Sequence, residues 1–287
     1  MSRTAILVGC AELPEGDGDE HAVPAALTEL GFDVSWAAWD DSRVDFAAAD
    51  AVILRATWDY PERRSEFLDW CESVPALYNP AAVVRWNTDK SYLAELLDAG
   101  VAVVPTTLVE PGSSAKFPKS AYVVKPSVGA GSRGAARFDA GADASSHVAS
   151  LHADGHTALI QPYQSSVDTE GELALSYFGG IYSHAFAKSA MLGSTMDESG
   201  LYLTEQLAKA EPPADAVALA EDVLDAASAL LGILRAELLY ARVDLVRGAD
   251  GKPLLLELEL TEPSLGFRQT DPGAAMRFAS AVRQQLA

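Results

Sequence analysis

The chain has 287 residues, 49% of them apolar, enough for two compact units or three small ones around a substantial core. Its 41 acidic residues against 21 basic ones leave a formal net charge of −20, which argues against a nucleic-acid or anionic-membrane partner. A small-molecule substrate bearing phosphate or carboxylate then has to be attracted by a few local cations or a bound metal ion, so every Lys or Arg in a cleft carries weight.

The opening run "AILVGCA" flows into "ELPEGDGDE" without a cleavage region and reads as a first strand over residues 4–10 of a cytoplasmic protein. A helix over 21–30 stopped by Gly31, strands over 33–38 and 50–54, and a helix in "PERRSEFLDWCESV" with Pro61 near its start predict a small α/β layer. Cys10 and Cys71, the only cysteines, have neither metal-ligand spacing nor a disulfide framework, as expected in a reducing compartment. A boundary falls near residue 80, after which "NTDKSYLAELLDAGV" predicts a helix capped by Asn87 or Thr88 and terminated by Gly100. From 102 to about 188 short strands alternate with Gly/Ser/Asp turns. "DAVALAEDVLDAASALLGIL" is the longest amphipathic helix, and a strand pair and a last helix opened by Asp271 and Pro272 close the chain. Nothing approaches a membrane span, and a homo-oligomer is left open.

Two segments carry chemistry. "YVVKPSVGAGSRGAARF" contains G-x-G-x-x-G at Gly129, Gly131 and Gly134, the spacing of a dinucleotide fingerprint. That fingerprint requires a strand before it and a helix after it, yet "AARFDAGADASSH" is no clear helix. Lys125, on a strand leading into the glycines, suggests instead a mobile flap that holds phosphates through ammonium and backbone N–H groups. The second segment, "YARVDLVRGADGKPLLLELELTEPSLGF", reads as two strands around an Asp250-Gly251 turn. With a two-residue loop, Asp244 faces Glu257 and Arg242 faces Glu259, while Val243, Leu245, Leu256, Leu258 and Leu260 take the opposite face. Cross-strand ion pairs account for isolated charges on a solvated sheet face. Three carboxylates against one arginine exceed that explanation, because like charges facing each other need a cation between them, and hard oxygen ligands suit Mg²⁺ bridging nucleotide phosphates. Lys90 adds to this. It falls in the first helical turn, where the macrodipole disfavours a cation, and on the stripe of Leu93 and Leu97, so it faces inward or into a cleft.

Taken together, "NTDK", "YVVKP" with its glycine flap, "LIQPYQSSVDTEGELALSYFGGIYSHAFAK" and "ARVDLV…LELELTEPS" resemble, in order and spacing, the ATP-grasp ligases, in the branch of glutathione synthetase and the ribosomal-protein glutamate ligases. More narrowly, "LRATWDYPERRSEFLDW", "VVRWNTDKSYLAEL" and "LELELTEPSL" are similar to the cyclo-ligases that close the isoxazolidinone ring of cycloserine from O-ureido-serine. The resemblance implies an α/β (α+β) ATP-grasp fold: an N-terminal Rossmann-like layer over 1–82, a central and C-terminal subdomain from 83–120 and 189–287, and a lid with the flap over 121–188. It implies ATP and two Mg²⁺ ions as cofactors. Lys90 and Lys125 would contact phosphates under the flap of Ser127, Gly129, Gly131 and Ser132. The hinge Gln161, Pro162, Tyr163 and Gln164 would recognise adenine, and Glu172 the ribose. Asp244, Glu257 and Glu259 match the Mg²⁺ ligands, Glu259 standing where many relatives carry Asn, and Arg242 and Lys188 match groups for the transferred phosphate. Arg55, Trp58, Asp59 and Tyr60, just after a strand's carboxyl end, and Arg268 are candidates for the acceptor. The implied chemistry is ADP-forming carboxylate–amine ligation through an acylphosphate. A nicotinamide-dependent oxidoreductase using the 129–134 glycines and a non-catalytic nucleotide-binding protein are the alternatives.

Overall fold

The computed structural model describes residues 2–190, 197, 199–202 and 206–287. Its first layer is a parallel sheet of order β2-β1-β3-β4, formed by β1 (Arg3–Gly9), β2 (Phe32–Ala38), β3 (Ala51–Ala56) and β4 (Leu77–Tyr78). Along it run α1 (Val23–Glu29), α2 (Arg64–Ser73) and α3 (Ala81–Asn87). Odd-numbered residues of β1 and β3 (Ala5, Leu7, Ala51, Ile53) pack with α1, while even-numbered ones (Ile6, Val8, Val52, Leu54) pack with Phe67, Leu68 and Cys71 of α2. Burial on both faces is why these strands read as apolar runs rather than as alternation.

Beyond α4 (Tyr92–Asp98), a second, antiparallel sheet has the order β5-β8-β6-β7, from β5 (Thr107–Val109), β6 (Tyr122–Pro126), β7 (Ala136–Phe138) and β8 (Ala158–Pro162). The helix α5 (Ser145–Ala153) covers it through Val148 and Leu151. The glycine segment joins β6 to β7, two antiparallel strands. It therefore lies in no βαβ unit, and the dinucleotide alternative loses its structural basis.

After α6 (Val167–Glu170) comes the third sheet, antiparallel and ordered β11-β10-β9-β12-β13, from β9 (Glu172–Phe178), β10 (Ile181–Lys188), β11 (Leu207–Ala210), β12 (Tyr240–Arg247) and β13 (Pro253–Glu259). The long α7 (Ala214–Leu231) buries Leu219, Val223 and Leu224 against Leu175, Tyr177, Val243 and Leu258. The last helix, α8 (Ala274–Gln285), packs Phe278 between this sheet's Phe178 and Tyr240 and the first layer's Leu7 and Ile53, so the two share one core. β9 pairs with β12 and brings β10 with it into the third sheet, because Leu175 and Tyr177 share the buried face of Val243, and β5 pairs with β8.

Two local expectations are corrected. Helix α4 begins at Tyr92, so Lys90 precedes it, in a turn where the Asp89 carboxylate accepts the Ser91 N–H at 3.0 Å. Asn87 closes α3 and caps nothing. The β12–β13 pairing places Arg242 opposite Glu259 and Asp244 opposite Glu257, but by a different route. The turn is longer than two residues, with Arg247 opposite Pro253 and the Gly248 N–H bonded to the Lys252 carbonyl at 2.8 Å. An irregularity between Asp244 and Leu245 then restores the register. Leu255 thereby takes the core position, and Leu256 turns to the charged side and lines a cavity.

β13 is an edge strand whose outer backbone groups are occupied by side chains as well as by main chain. The Asn87 amide donates to the Leu258 carbonyl and accepts from the Leu260 N–H, both at 2.7 Å. The Tyr92 hydroxyl donates to the same carbonyl at 2.8 Å and accepts the Leu258 N–H at 3.0 Å. The Leu255 N–H and carbonyl meet Ala102 and Val104. The strand that carries Glu257 and Glu259 is thus fixed on both sides. Asn87→Ala leaves a buried carbonyl with one partner fewer and a buried N–H with none, so it should cost about 2–4 kcal/mol of stability. Urea unfolding reads this directly, and an unchanged midpoint would remove Asn87 from the clamp.

Candidate active site

The charged face of the β12–β13 hairpin forms the floor of a cavity of about 200 Å³. The second sheet contributes Lys125 from β6 and Gln161 to Gln164 from the end of β8; the glycine loop lies over it, and Lys90 comes from the turn before α4. Cations and carboxylates interlock. Lys188 Nζ sits 2.6 Å from Asp244 Oδ2 and 2.9 Å from Glu172 Oε2, the latter across the β9–β10 pair. Arg242 grips Asp244 in a fork, Nε at 2.9 Å and Nη2 at 2.8 Å, reaches Glu259 through the same Nη2, and donates from Nη1 to the Ser264 carbonyl at 2.8 Å. Glu257 is shared between Lys90 at 3.2 Å and Lys125 at 3.4 Å.

Burial disfavours charge on all three hairpin carboxylates, and their partners decide the outcome. For Asp244, Arg242 and Lys188 outweigh burial and hold the pKa below the ordinary carboxylate range. Lys90, Lys125 and Lys188 do the same for Glu257. Glu259 goes the other way: burial and the charges of Asp244 and Glu257 overcome Arg242 and raise it. Lys90, Lys125, Lys188 and Arg242 thus pair with Glu172, Asp244, Glu257 and Glu259 in and under the cavity wall; Arg133, also on that wall, pairs with Glu62.

Most of the residues singled out in the sequence come together here. Lys90, Lys125, Gly129, Gly131, Ser132, Gln161, Pro162, Tyr163, Gln164, Glu172, Lys188, Arg242, Glu257 and Glu259 all line the cavity, with Val123, Val246 and Leu256 as apolar wall beside the hinge. Asp244 is 1% exposed and lies beneath the wall, under Arg242 and Lys188. Ser127 is also buried outside it; its carbonyl accepts the Lys90 N–H at 2.8 Å. Among the described residues no three carboxylate, imidazole or thiolate groups are gathered in a metal-holding arrangement, since each hairpin carboxylate is turned to a cation. The donor set itself is hard oxygen with an excess of negative charge, which suits Mg²⁺.

The acceptor candidates divide. Trp58 and Tyr60 line the cavity, and Trp58 also borders a second one of about 430 Å³ that is lined by Asp17, Asp19, Ser264 and Arg268. The two cavities share Trp58, Gly131, Arg242 and Glu259. Asp59 lies elsewhere: its carboxylate accepts the Trp39 indole N–H at 3.0 Å and an Arg63 N–H at 2.6 Å within the first layer. Arg55 is fully buried behind the site, over the Tyr240 ring at 4.6 Å, with Nη2 on the Pro263 carbonyl and Glu20 at 3.5 Å. Neither lines either cavity, because a strand's carboxyl end that meets a second sheet is covered by it.

Sequence reasoning missed Glu262, Arg133 and the clamping role of Asn87. Glu262 sits past the end of β13, where the period-2 pattern stops, and Arg133 is hidden among the flap glycines. Arg133 fastens the flap: Nη2 donates to the Trp58 carbonyl at 2.7 Å and Nη1 to Glu62 at 3.0 Å. Gly131, at φ +62°, leaves no room for a Cβ, which would fall 2.3 Å from the Leu201 carbonyl.

Comparison with known proteins defines the class and then the family. The fold is that of the ATP-grasp ligases: D-alanine–D-alanine ligase from Bacillus anthracis, solved with ATP, superposes with a TM-score of 0.68 at 15% identity, over 100% of this chain and 97% of that one. Within that class the chain belongs to the D-cycloserine synthetase (DcsG) family. Cycloserine biosynthesis protein DcsG of Streptomyces lavendulae is 39% identical over 100% of this chain and 99% of its own length. The crystal structure of D-cycloserine synthetase DcsG matches with a TM-score of 0.89 at 38% identity, over 99% of this chain and all of that one. Residues 5–82 match the family model of the DcsG N-terminal domain.

Two measurements probe this geometry. Arg133→Ala removes charge-assisted hydrogen bonds that tie the flap to the first layer, so amide exchange over residues 127–134 should speed up by about tenfold; unchanged exchange would mean that the flap is held by its packing on Leu201 and Tyr202. The second concerns pH. Burial pushes Glu20 up to about 8 from 4.5, against the pull of Arg55, so the folded chain keeps a proton that the unfolded chain releases. The resulting stabilisation is complete below 4.5 and is lost as pH rises through about 8. Tm of the ligand-free protein should therefore fall on going from about pH 6 to about pH 8.5, and Glu20→Gln should flatten that fall. An equally steep decline in the variant would exclude Glu20 as its source.

Proposed function

We propose that this protein is an ATP- and Mg²⁺-dependent cyclo-ligase that activates the carboxylate of an amino acid of the O-ureido-serine type and joins it to a nitrogen of the same molecule. The observation that carries this reading is the interlocked array of Lys90, Lys125, Lys188 and Arg242 with Asp244, Glu257 and Glu259 on one sheet face, inside a cavity that runs from the glycine flap to the hinge. Family membership supports the reaction class, and the full set of lysines and carboxylates supports catalysis over mere nucleotide binding.

In this reading Val123, Val246 and Leu256 sandwich the adenine beside Gln161 to Gln164, and Glu172 faces the ribose. Lys90 and Lys125 neutralise the phosphates, with the flap closing over them. Asp244, Glu257 and Glu259 would hold Mg²⁺, which supplies charge neutralisation on the phosphate oxygens when bound. Lys188 and Arg242 stand at the carboxylates of the floor, placed to stabilise the phosphoryl group in transfer. The substrate carboxylate attacks the γ-phosphorus, giving an acylphosphate and ADP; the nitrogen then displaces phosphate. No protein nucleophile is needed, so catalysis is positioning and electrostatics. The second cavity, with Arg268, Asp17 and Asp19 on its wall and Trp58 and Arg242 shared with the first, is the place for the amino acid.

Turnover of O-ureido-D-serine should yield ADP and inorganic phosphate in step with ring closure. AMP and pyrophosphate as stoichiometric products would overturn the acylphosphate route. Asp244→Asn leaves Arg242 and Lys188 facing a neutral amide and should lower kcat by about 100-fold or more with the fold intact; full activity at limiting Mg²⁺ would remove Asp244 from the site.

A further inference from the structure

Among the described residues, Glu262 is the one carboxylate on the cavity wall to which the reaction above gives no work. It is 8% exposed, and no Lys or Arg nitrogen among those residues forms an ion pair with it, unlike Glu172, Glu257 and Glu259. Its backbone is held in place: the Trp58 indole N–H donates to the Glu262 carbonyl at 3.0 Å, and Arg55 donates to the next carbonyl, that of Pro263, at 2.5 Å. The Tyr60 side chain lines the same cavity. Glu262 therefore shares the lining of the first cavity with Tyr60, Lys90 and Trp58, and Trp58 also borders the second cavity.

We propose that Glu262 is the base of the second half-reaction, accepting the proton that the substrate nitrogen gives up as it attacks the acylphosphate; this rests on the acylphosphate reading above. The nitrogen lone pair forms the C–N bond to the acyl carbon, the C–O bond to phosphorus-bound oxygen breaks with its electron pair leaving on phosphate, and the N–H proton passes to a Glu262 oxygen. A carboxylate paired with a lysine or arginine would be a poor proton acceptor. Glu262 escapes that fate because Lys90, Lys125, Lys188 and Arg242 are paired with other carboxylates of the site and Arg133 with Glu62. Tyr60 from the loop after β3, Lys90 from the turn before α4, and Glu257 and Glu259 on β13 line the same cavity. Burial, then the charge of Glu259, raise its pKa, and Lys90 pulls the other way.

The test separates the two half-reactions, using O-ureido-D-serine, Mg-ATP and added hydroxylamine, a nucleophile that captures an acylphosphate as the hydroxamate without help from a base. Glu262→Gln should form hydroxamate within about threefold of the parent rate while ring closure falls by about 100-fold or more. Glu262→Asp should recover part of the ring closure, and it decides the matter if the Gln variant does not fold. Parallel loss of hydroxamate and ring closure with a raised Mg²⁺ requirement would make Glu262 a metal ligand and overturn the proposal, as would undiminished ring closure. A parent protein that makes neither ADP nor hydroxamate would instead overturn the acylphosphate reading itself.

Discussion

The pairing of Asp244 with Glu257, and of Arg242 with Glu259, across one hairpin is the constraint to which the rest of the molecule answers. Two opposed carboxylates on adjacent strands repel each other unless cations are brought in, and burial multiplies that cost. The hairpin supplies only Arg242. The remaining cations are imported: Lys188 from the far end of β10, Lys125 from a different sheet, and Lys90 from the link between layers. Each import dictates architecture. β9 has to lie between β10 and β12 for Lys188 to reach Asp244, and the second sheet has to lean over the third for Lys125 to reach Glu257.

The same economy of placement joins the two cavities. Trp58 belongs to the first layer, yet its indole N–H is spent on Glu262, its carbonyl on Arg133 of the flap, and its ring meets Tyr202 edge-on at 4.9 Å. One residue thus ties the first layer, the flap and the segment after β13 together. The flap and the wall between the two cavities are thus held through the same residue.

How much of this was legible follows from the range of the interactions. The hairpin face could be read because its residues are separated by a short turn and obey a period of two, and it survived a wrong turn length because the irregularity at Asp244–Leu245 offset it. That same irregularity moved Leu256 from core to cavity, which alternation alone cannot foresee. The inward orientation of Lys90 was correct although its helix begins later than expected, since the residue is held by the Ser127 carbonyl and Glu257, not by helical periodicity. Arg55 and Asp59 were placed in the site by their position after a strand, and their partners Glu20, Pro263 and Trp39 lie far away in sequence or carry no pattern. Glu262 was illegible for a related reason. Its setting is made by three loops, and loops have no period.

A chain with a net charge of −20 would repel a nucleotide at long range, and the local arrangement explains how that is overcome. Lys90 and Lys125 are already desolvated and pre-positioned by a shared carboxylate, Glu257, so a phosphate that draws them exchanges one anionic partner for another instead of stripping water from bare ammonium groups. The exchange would release Glu257, leaving Asp244, Glu257 and Glu259 with only Arg242 and Lys188 among them. Such a surplus of negative charge calls for a divalent cation at the moment the phosphates arrive. In the function proposed above, nucleotide and metal binding would be two halves of one rearrangement, coupled through Glu259, whose pKa is raised by burial and then by the charges of Asp244 and Glu257.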